Sequence, residues 1–151
     1  CFWCTEADSE RLEGVSDVIS GFTGGTTANP VYQVGKWGDH REAAQVIYDP
    51  AVISFEELVT HVYATIDYED LDGQFCDRGR SYSPAIYYKS EAEKLAIEKL
   101  APESSVVPIE PETKFYPVRT EHQGYYKKNP MRYTFYRNRC GRDQRLKELA
   151  K

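Results

Sequence analysis

The sequence predicts an α+β fold: a two-layer sandwich built on a ferredoxin-like split β-α-β sheet, with long loops and a C-terminal tail. Three observations carry this expectation. Two stretches place apolar residues at helical spacing behind capping boxes. Short runs of β-branched and aromatic residues end at glycines or Asp-Pro. The two kinds follow one another as α-β-β-α-β-α-β. With 151 residues, 40% of them hydrophobic, the chain can bury one core. No repeat, low-complexity tract or linker divides it, so residues 1–151 are read as one domain with 133–151 as its tail.

The first helix is expected to begin between Phe2 and Thr5, where Thr5-Glu6-Ala7-Asp8 resembles a capping box, and to stop at Gly14. Residues 15–23 carry Val15, Val18, Ile19 and Phe22 and read as a strand closed by Gly24-Gly25. Residues 26–38 form a loop long enough to be functional. A second strand covers 42–48 and ends at Asp49-Pro50. Ser54-Phe55-Glu56-Glu57 caps a helix whose stripe is Phe55, Leu58, Val59, Val62, Tyr63 and Ile66; these are core residues. A loop over 67–83 is rich in Asp, Gly and Arg. A short strand follows at 84–88, a helix at 90–101 capped by Ser90 and Glu93, and a strand at 106–109. Residues 115–129 are irregular or briefly helical, 133–141 are polar tail, and 143–151 can form a short helix. A split sheet of this kind usually opens with a strand, which is expected ahead of Cys1.

Composition narrows the function. Lys plus Arg number 19 against 24 Asp plus Glu, a formal charge of −5, which disfavours nucleic acid and anionic membranes as partners. No apolar run reaches membrane-spanning length, and no signal peptide is visible. Four irregularly spaced cysteines do not make a secreted disulfide framework, so a reducing cytoplasm is expected, with the cysteines in chemical roles. A monomer is expected. The 12 tyrosines against 6 phenylalanines suggest walls that are apolar yet able to donate hydrogen bonds.

The reactive stretch is Cys1-Phe2-Trp3-Cys4. A thiol at a helix N-terminus is drawn toward its thiolate, and Phe2 and Trp3 offer an apolar wall for a small sulfur-containing group. Cys1 and Cys4 form C-x-x-C, which also fits a dithiol pair or half of a zinc site. Zinc would need a second ligand pair, and Cys76 and Cys140 stand alone. Glu42, at a strand start, is by default a solvated acid; buried near Cys1 it would become a proton donor near neutrality. His40 is read as satisfied or exposed and His61 as needing no role. Asp77 is by default a loop carboxylate paired with Arg78 or Arg80, and Tyr32 and Tyr82 are packing tyrosines. Cys140 lies among Arg137, Arg139 and Arg142 with Gly141 beside it, the surroundings of a low-pKa thiol on a mobile tail.

These pieces together resemble the peptide methionine sulfoxide reductase family of the A type, over nearly the whole chain. The resemblance rests on Cys1-Phe2-Trp3, Gly21-Phe22-Thr23-Gly24-Gly25, Asn29-Pro30-Val31-Tyr32, His40-Arg41-Glu42 and Tyr48-Asp49-Pro50. It continues through Asp77-Arg78-Gly79 with Tyr82, Ala85-Ile86-Tyr87, Phe115-Tyr116-Pro117 and His122-Gln123. It implies that Cys1 attacks the sulfoxide sulfur, that Phe2 and Trp3 cage the substrate methyl, and that Glu42 protonates the departing oxygen. Tyr32 and Tyr82 would bond that oxygen, with Asp77 orienting the polar side of the pocket through water or a tyrosine. A sulfenic acid on Cys1 would then condense with a resolving thiol, for which Cys140 and Cys4 compete and Cys76 stands third. Thioredoxin would reduce the resulting disulfide. The substrate would be the S epimer of methionine sulfoxide, free or in oxidised proteins, with no cofactor and no metal. The sequence departs from the family at Cys4, where glycine is common, at Ile66-Asp67-Tyr68, at residues 118–121, and in a shorter loop between Tyr32 and Glu42. The competing functions are a dithiol-disulfide oxidoreductase using Cys1 and Cys4, and a zinc or redox-sensing module without turnover.

Overall fold

A computed structural model describes residues 2–30 and 38–150. Helix α1 (Phe2–Glu10) is followed by the antiparallel strands β1 (Val15–Thr23) and β2 (Arg41–Tyr48). Gly14 closes the connection with φ +95, and a Cβ there would lie 2.7 Å from the Ile53 side chain. Strand pairing sets Val18 opposite Val46 and Phe22 opposite Glu42. Residues directly opposite in an antiparallel pair share a face, so Glu42 projects to the side on which Phe22 is buried. On its other edge β1 pairs with β7 (Tyr116–Pro117) through Gly21 and Phe22. A Cβ on Gly21 would stand 2.3 Å from the Tyr116 carbonyl, so this close approach needs glycine.

The second half of the core is a β-α-β unit. Strand β5 (Ile86–Tyr88) runs parallel to β6 (Ile109–Pro111), with helix α3 (Glu91–Leu100) as the crossover. Helix α2 (Phe55–Thr65) packs against α3. Val59, Tyr63, Ile97 and Val107 form the buried cluster, with Phe55, Ile66, Ile86 and Leu100 around it. Both serines act as N-caps: Ser54 Oγ accepts from Glu57 N at 3.0 Å and Ser90 Oγ from Glu93 N at 3.2 Å. Between these elements, β3 (Gly73–Gln74) and β4 (Asp77–Arg78) make a two-residue hairpin inside the loop expected over 67–83. The α+β class is as expected. The described strands form a three-stranded sheet in the order β2-β1-β7 and two two-stranded pairs. The strand expected at 106–109 is displaced to 109–111.

The main correction falls at 133–141, where helix α5 (Pro130–Arg139) replaces the expected polar tail; α4 (Tyr125–Lys128) and α6 (Arg142–Leu149) are the brief helix and the short helix read at 115–129 and 143–151. Pro130 occupies the first turn of α5, where its missing N–H costs nothing, and Gly141 turns the chain at φ +71. The sequence concealed α5 because it is polar around most of its circumference, and charge rather than an apolar stripe docks it. Asp8 of α1, 4% exposed, receives Arg137 at 2.7 Å and faces Arg142 at 3.4 Å; Arg11 adds a contact at 2.6 Å. Tyr133 is buried against Cys4 and Ala7. Glu6, also buried on α1, accepts from Ser20 Oγ at 2.7 Å and from Gly124 N at 2.6 Å, tying α1 to β1 and to the start of α4. His61 bonds the Asp8 carbonyl at 2.9 Å, so it ties α2 to α1. Among the described residues no helix is long and apolar enough to cross a membrane.

Asp8→Ala would leave the buried Arg142 without its acid and Arg137 with Asp143 alone. The expected outcome is a loss of about 3–5 kcal/mol in urea unfolding, the usual cost of removing one partner from a buried ion pair.

Candidate active site

The site is built where the first turn of α1 meets the start of β2. The Phe2 backbone N–H donates to Glu42 Oε1 at 3.2 Å, one of the helix-terminal N–H groups that lack an internal partner. The β1–β2 register delivers Glu42 to this point, beneath α1 and beside Phe2, whose ring meets Phe22 edge-on at 5.9 Å. Burial pushes the Glu42 carboxyl from 4.5 up to about 7; the Phe2 N–H opposes this and the nearby Asp77 charge adds to it. Its Oε2 is buried and has no hydrogen-bond partner among the described residues. Glu42 is therefore the buried acid of the expectation rather than a solvated strand end.

Loop 67–83 brings the next two residues. Gln74 braces it by accepting from Asp67 N and donating to the Asp67 and Gly73 carbonyls. Arg145 of α6 holds Asp67 at 2.9 Å. Asp77 is not paired with Arg78 or Arg80. Arg78 bonds Asp70, and Arg80 donates to the Gly24 and Asp39 carbonyls. Asp77 Oδ2 instead accepts from the Tyr136 hydroxyl on α5, and burial raises its pKa. Tyr82 ends a 3-10 turn at Arg80–Tyr82. A cavity of about 270 Å³ touches Phe2, Glu42 and Tyr82 and continues between β2 and β5 toward Val59 and Ile66. Trp3 and Asp77 are not among its described walls.

Trp3 is half-buried in an aromatic stack. Tyr125 lies parallel to it at 3.9 Å, His122 at 6.2 Å, and Tyr136 meets it edge-on at 5.7 Å. Tyr125 and Tyr136 were not singled out from the sequence, although the tyrosine excess was visible there. His40 is buried and satisfied, its Nδ1 accepting from Gly25 N at 3.1 Å. Cys1 and Tyr32, both expected in the site, lie outside the described residues.

The remaining cysteines divide into two environments. Cys4 is a free thiol, 2% exposed, beneath Tyr133 and Tyr136. Cys76 and Cys140 are joined by a disulfide with Cα atoms 4.9 Å apart; Cys76 is exposed and Cys140 caps α5. Cys140 thus ends a helix rather than lying on a polar tail. Arg137 is committed to Asp8 and Asp143, Arg142 to the Thr65 carbonyl and the Phe75 ring, and Arg139 to Phe135. No group of three His, Cys, Asp or Glu among the described residues could hold a metal.

The chain is similar to known proteins over most of its length. A family model described as peptide methionine sulfoxide reductase matches residues 1–151. Peptide methionine sulfoxide reductase MsrA 2 of Rhizobium meliloti (strain 1021) is 43% identical over 156 residues, covering 99% of this chain and 79% of its own. The structure of methionine sulfoxide reductase A of Corynebacterium diphtheriae superimposes with a TM-score of 0.77 at 30% identity, covering 86% of this chain and 71% of that one. The reduced form of Mxr1 from Saccharomyces cerevisiae gives a TM-score of 0.79 at 26% identity, over 86% of this chain and 81% of that one.

The raised Glu42 carboxyl has a stability signature. Between pH 4.5 and about 7 the folded protein holds a proton that the unfolded chain releases, so this contribution is full below 4.5 and is lost as the pH rises through 7. Glu42→Gln keeps an acceptor for Phe2 N–H and removes the buried charge. The variant is expected to match the parent near pH 4 and to exceed it by about 3 kcal/mol at pH 8 in denaturant titrations.

Proposed function

The chain belongs to the peptide methionine sulfoxide reductase family and reduces methionine sulfoxide, and we propose that it does so with Cys1 as nucleophile and Glu42 as acid, on the S epimer, free or within oxidised proteins. The observation that carries this is the Glu42 carboxyl. It is buried, it is held by the backbone N–H of the residue after Cys1, and it stays protonated up to about pH 7. Sulfoxide sulfur is a poor electrophile until its oxygen takes a proton, so the reaction needs a neutral acid beside an anionic sulfur. Cys1 directly precedes α1 in sequence, where a helix N-terminus favours the thiolate. The Cys1 thiolate forms a bond to the substrate sulfur, Glu42 delivers its proton to the oxygen, and the oxygen passes to Cys1. Methionine leaves and Cys1 becomes a sulfenic acid. Tyr32 and Tyr82 bond the oxygen as it moves, Asp77 orients the polar side, and Phe2 and Trp3 receive the methyl group.

The sulfenic acid condenses with the Cys140 thiol, releasing water. Cys76 then displaces Cys1, leaving the Cys76–Cys140 disulfide for thioredoxin, whose dithiol supplies the two electrons of each turnover. The exposure of Cys76 beside Asp77 supports this route. A second route, through Cys4, is favoured by its free thiol three positions after Cys1. We place the cycle in a reducing cytoplasm and in a monomer. A general dithiol-disulfide exchange at Cys1 and Cys4 would not need the buried acid.

With thioredoxin, its reductase and NADPH, a peptide carrying the S epimer is expected to be consumed and the R epimer spared. Cys1→Ser should abolish turnover. Glu42→Gln should slow methionine formation by about 10²–10⁴-fold, the usual worth of a general acid. Cys140→Ser should form one methionine per enzyme without cycling; if Cys4→Ser does that instead, Cys4 is the resolving thiol. Equal consumption of both epimers, or turnover that survives Cys1→Ser, would refute this reading.

A further inference from the structure

We propose that Tyr136, from the C-terminal helix α5, is a positioning residue of the reaction site: its hydroxyl orients the Asp77 carboxylate while its ring buttresses Trp3. Two contacts made by one side chain support this. The hydroxyl donates to Asp77 Oδ2. The ring meets the Trp3 indole at 5.7 Å and 79°, an edge-to-face geometry, while Tyr125 covers that indole in a parallel stack. Tyr136 thereby fixes the distance between the polar and apolar walls of the site, which come from chain segments more than seventy residues apart.

The mounting of Tyr136 is rigid. One residue beyond it, Arg137 holds Asp8 at 2.7 Å, Asp143 at 2.7 Å and the Tyr133 hydroxyl at 2.9 Å. One turn further on, Cys140 is bonded to Cys76, the neighbour of Asp77. The two partners of the Tyr136–Asp77 bond are thus tethered through a second, covalent link. The ion pair at Asp8 holds α5 independently of that disulfide, so Tyr136 also has a mounting when Cys76 and Cys140 are reduced. The Asp77 carboxyl is half-buried, and a carboxylate so placed with one donor fewer is freer to turn or to take up a proton. Tyr136 does not touch the reacting atoms in this account; it acts through Asp77 and Trp3.

The inference rests on the proposed role of Asp77, and the experiment separates the two. Single-turnover methionine formation is measured with pre-reduced enzyme over a range of S-sulfoxide peptide concentrations, for Tyr136→Phe, Asp77→Asn, the double variant and Tyr133→Phe. Tyr136→Phe keeps the ring and loses the hydroxyl. Its maximal rate is expected to fall about tenfold, comparable to the loss of one hydrogen bond to a charged group, with the half-saturating peptide concentration unchanged. Asp77→Asn slows the reaction, and adding Tyr136→Phe to it causes no further loss, because the two act as one unit. Tyr133→Phe, on the same helix but packed over Cys4, leaves the single-turnover rate unchanged and controls for general loosening of α5. Tyr136→Leu, which removes the buttress, raises the half-saturating concentration, and Phe at this position restores it. An unchanged rate in Tyr136→Phe beside a slowed Asp77→Asn overturns the inference alone. Multiplicative losses in the double variant, or equal losses in Tyr133→Phe, also overturn it. An unchanged Asp77→Asn overturns the reading of Asp77 and this inference with it.

Discussion

The hydrogen bond from Phe2 N–H to Glu42 is the interaction on which the site depends, and it exists only because two independent pieces of folding agree. The β1–β2 register must set Glu42 opposite Phe22, and α1 must begin at Phe2 so that its first N–H groups face the strand. A slip of one residue in the register would send the carboxylate to the opposite face of the sheet. Gly21 secures the other side of the arrangement by letting β7 approach β1 at van der Waals distance. The carboxyl is thereby dry and oriented, and dryness is what keeps a proton on it at neutral pH.

The C-terminal helices depend on a different physics. They offer little apolar surface, and a polar helix gains little from docking unless its charges find buried partners. Asp8 supplies one such partner on α1, two residues from Glu6, which itself anchors β1 and α4. Helix α1 therefore serves as the common support: its first turn meets Glu42, its middle carries the acids that hold the rest of the domain, and Cys4 sits between them under Tyr133. Substituting these acids would loosen the aromatic stack on Trp3 as well as the helices themselves.

How much of this was legible follows from which forces leave local marks. The helices behind Ser54 and Ser90 were readable because capping and apolar periodicity are written within one segment. The strand at 15–23 was readable for the same reason. The helix α5 was not: its determinants are Asp8, more than a hundred residues away, and a cysteine partner whose pairing spacing alone cannot assign. Glu42 as an acid was legible through family resemblance and not from its own surroundings in sequence, because burial is a tertiary property. Asp77 was assigned to Arg78 or Arg80 by proximity along the chain, whereas the fold gives those arginines to Asp70 and to backbone carbonyls. Tyr136 left only a faint trace, a tyrosine among many.

The same accounting bears on the cysteines. A thiol that must meet the site and a disulfide that must meet an external reductant have opposite requirements, burial for one and access for the other. The fold separates them: Cys4 is enclosed beneath α5, while the Cys76–Cys140 bond lies at the surface on elements that also carry Asp77 and Tyr136. Tyr133 packs over Cys4, while Tyr136 bonds Asp77 and meets Trp3 edge-on. The tyrosine-rich composition thus has a structural reason: the wall between a buried reaction and an exposed disulfide has to be apolar enough to exclude water and polar enough to hold a carboxylate in place.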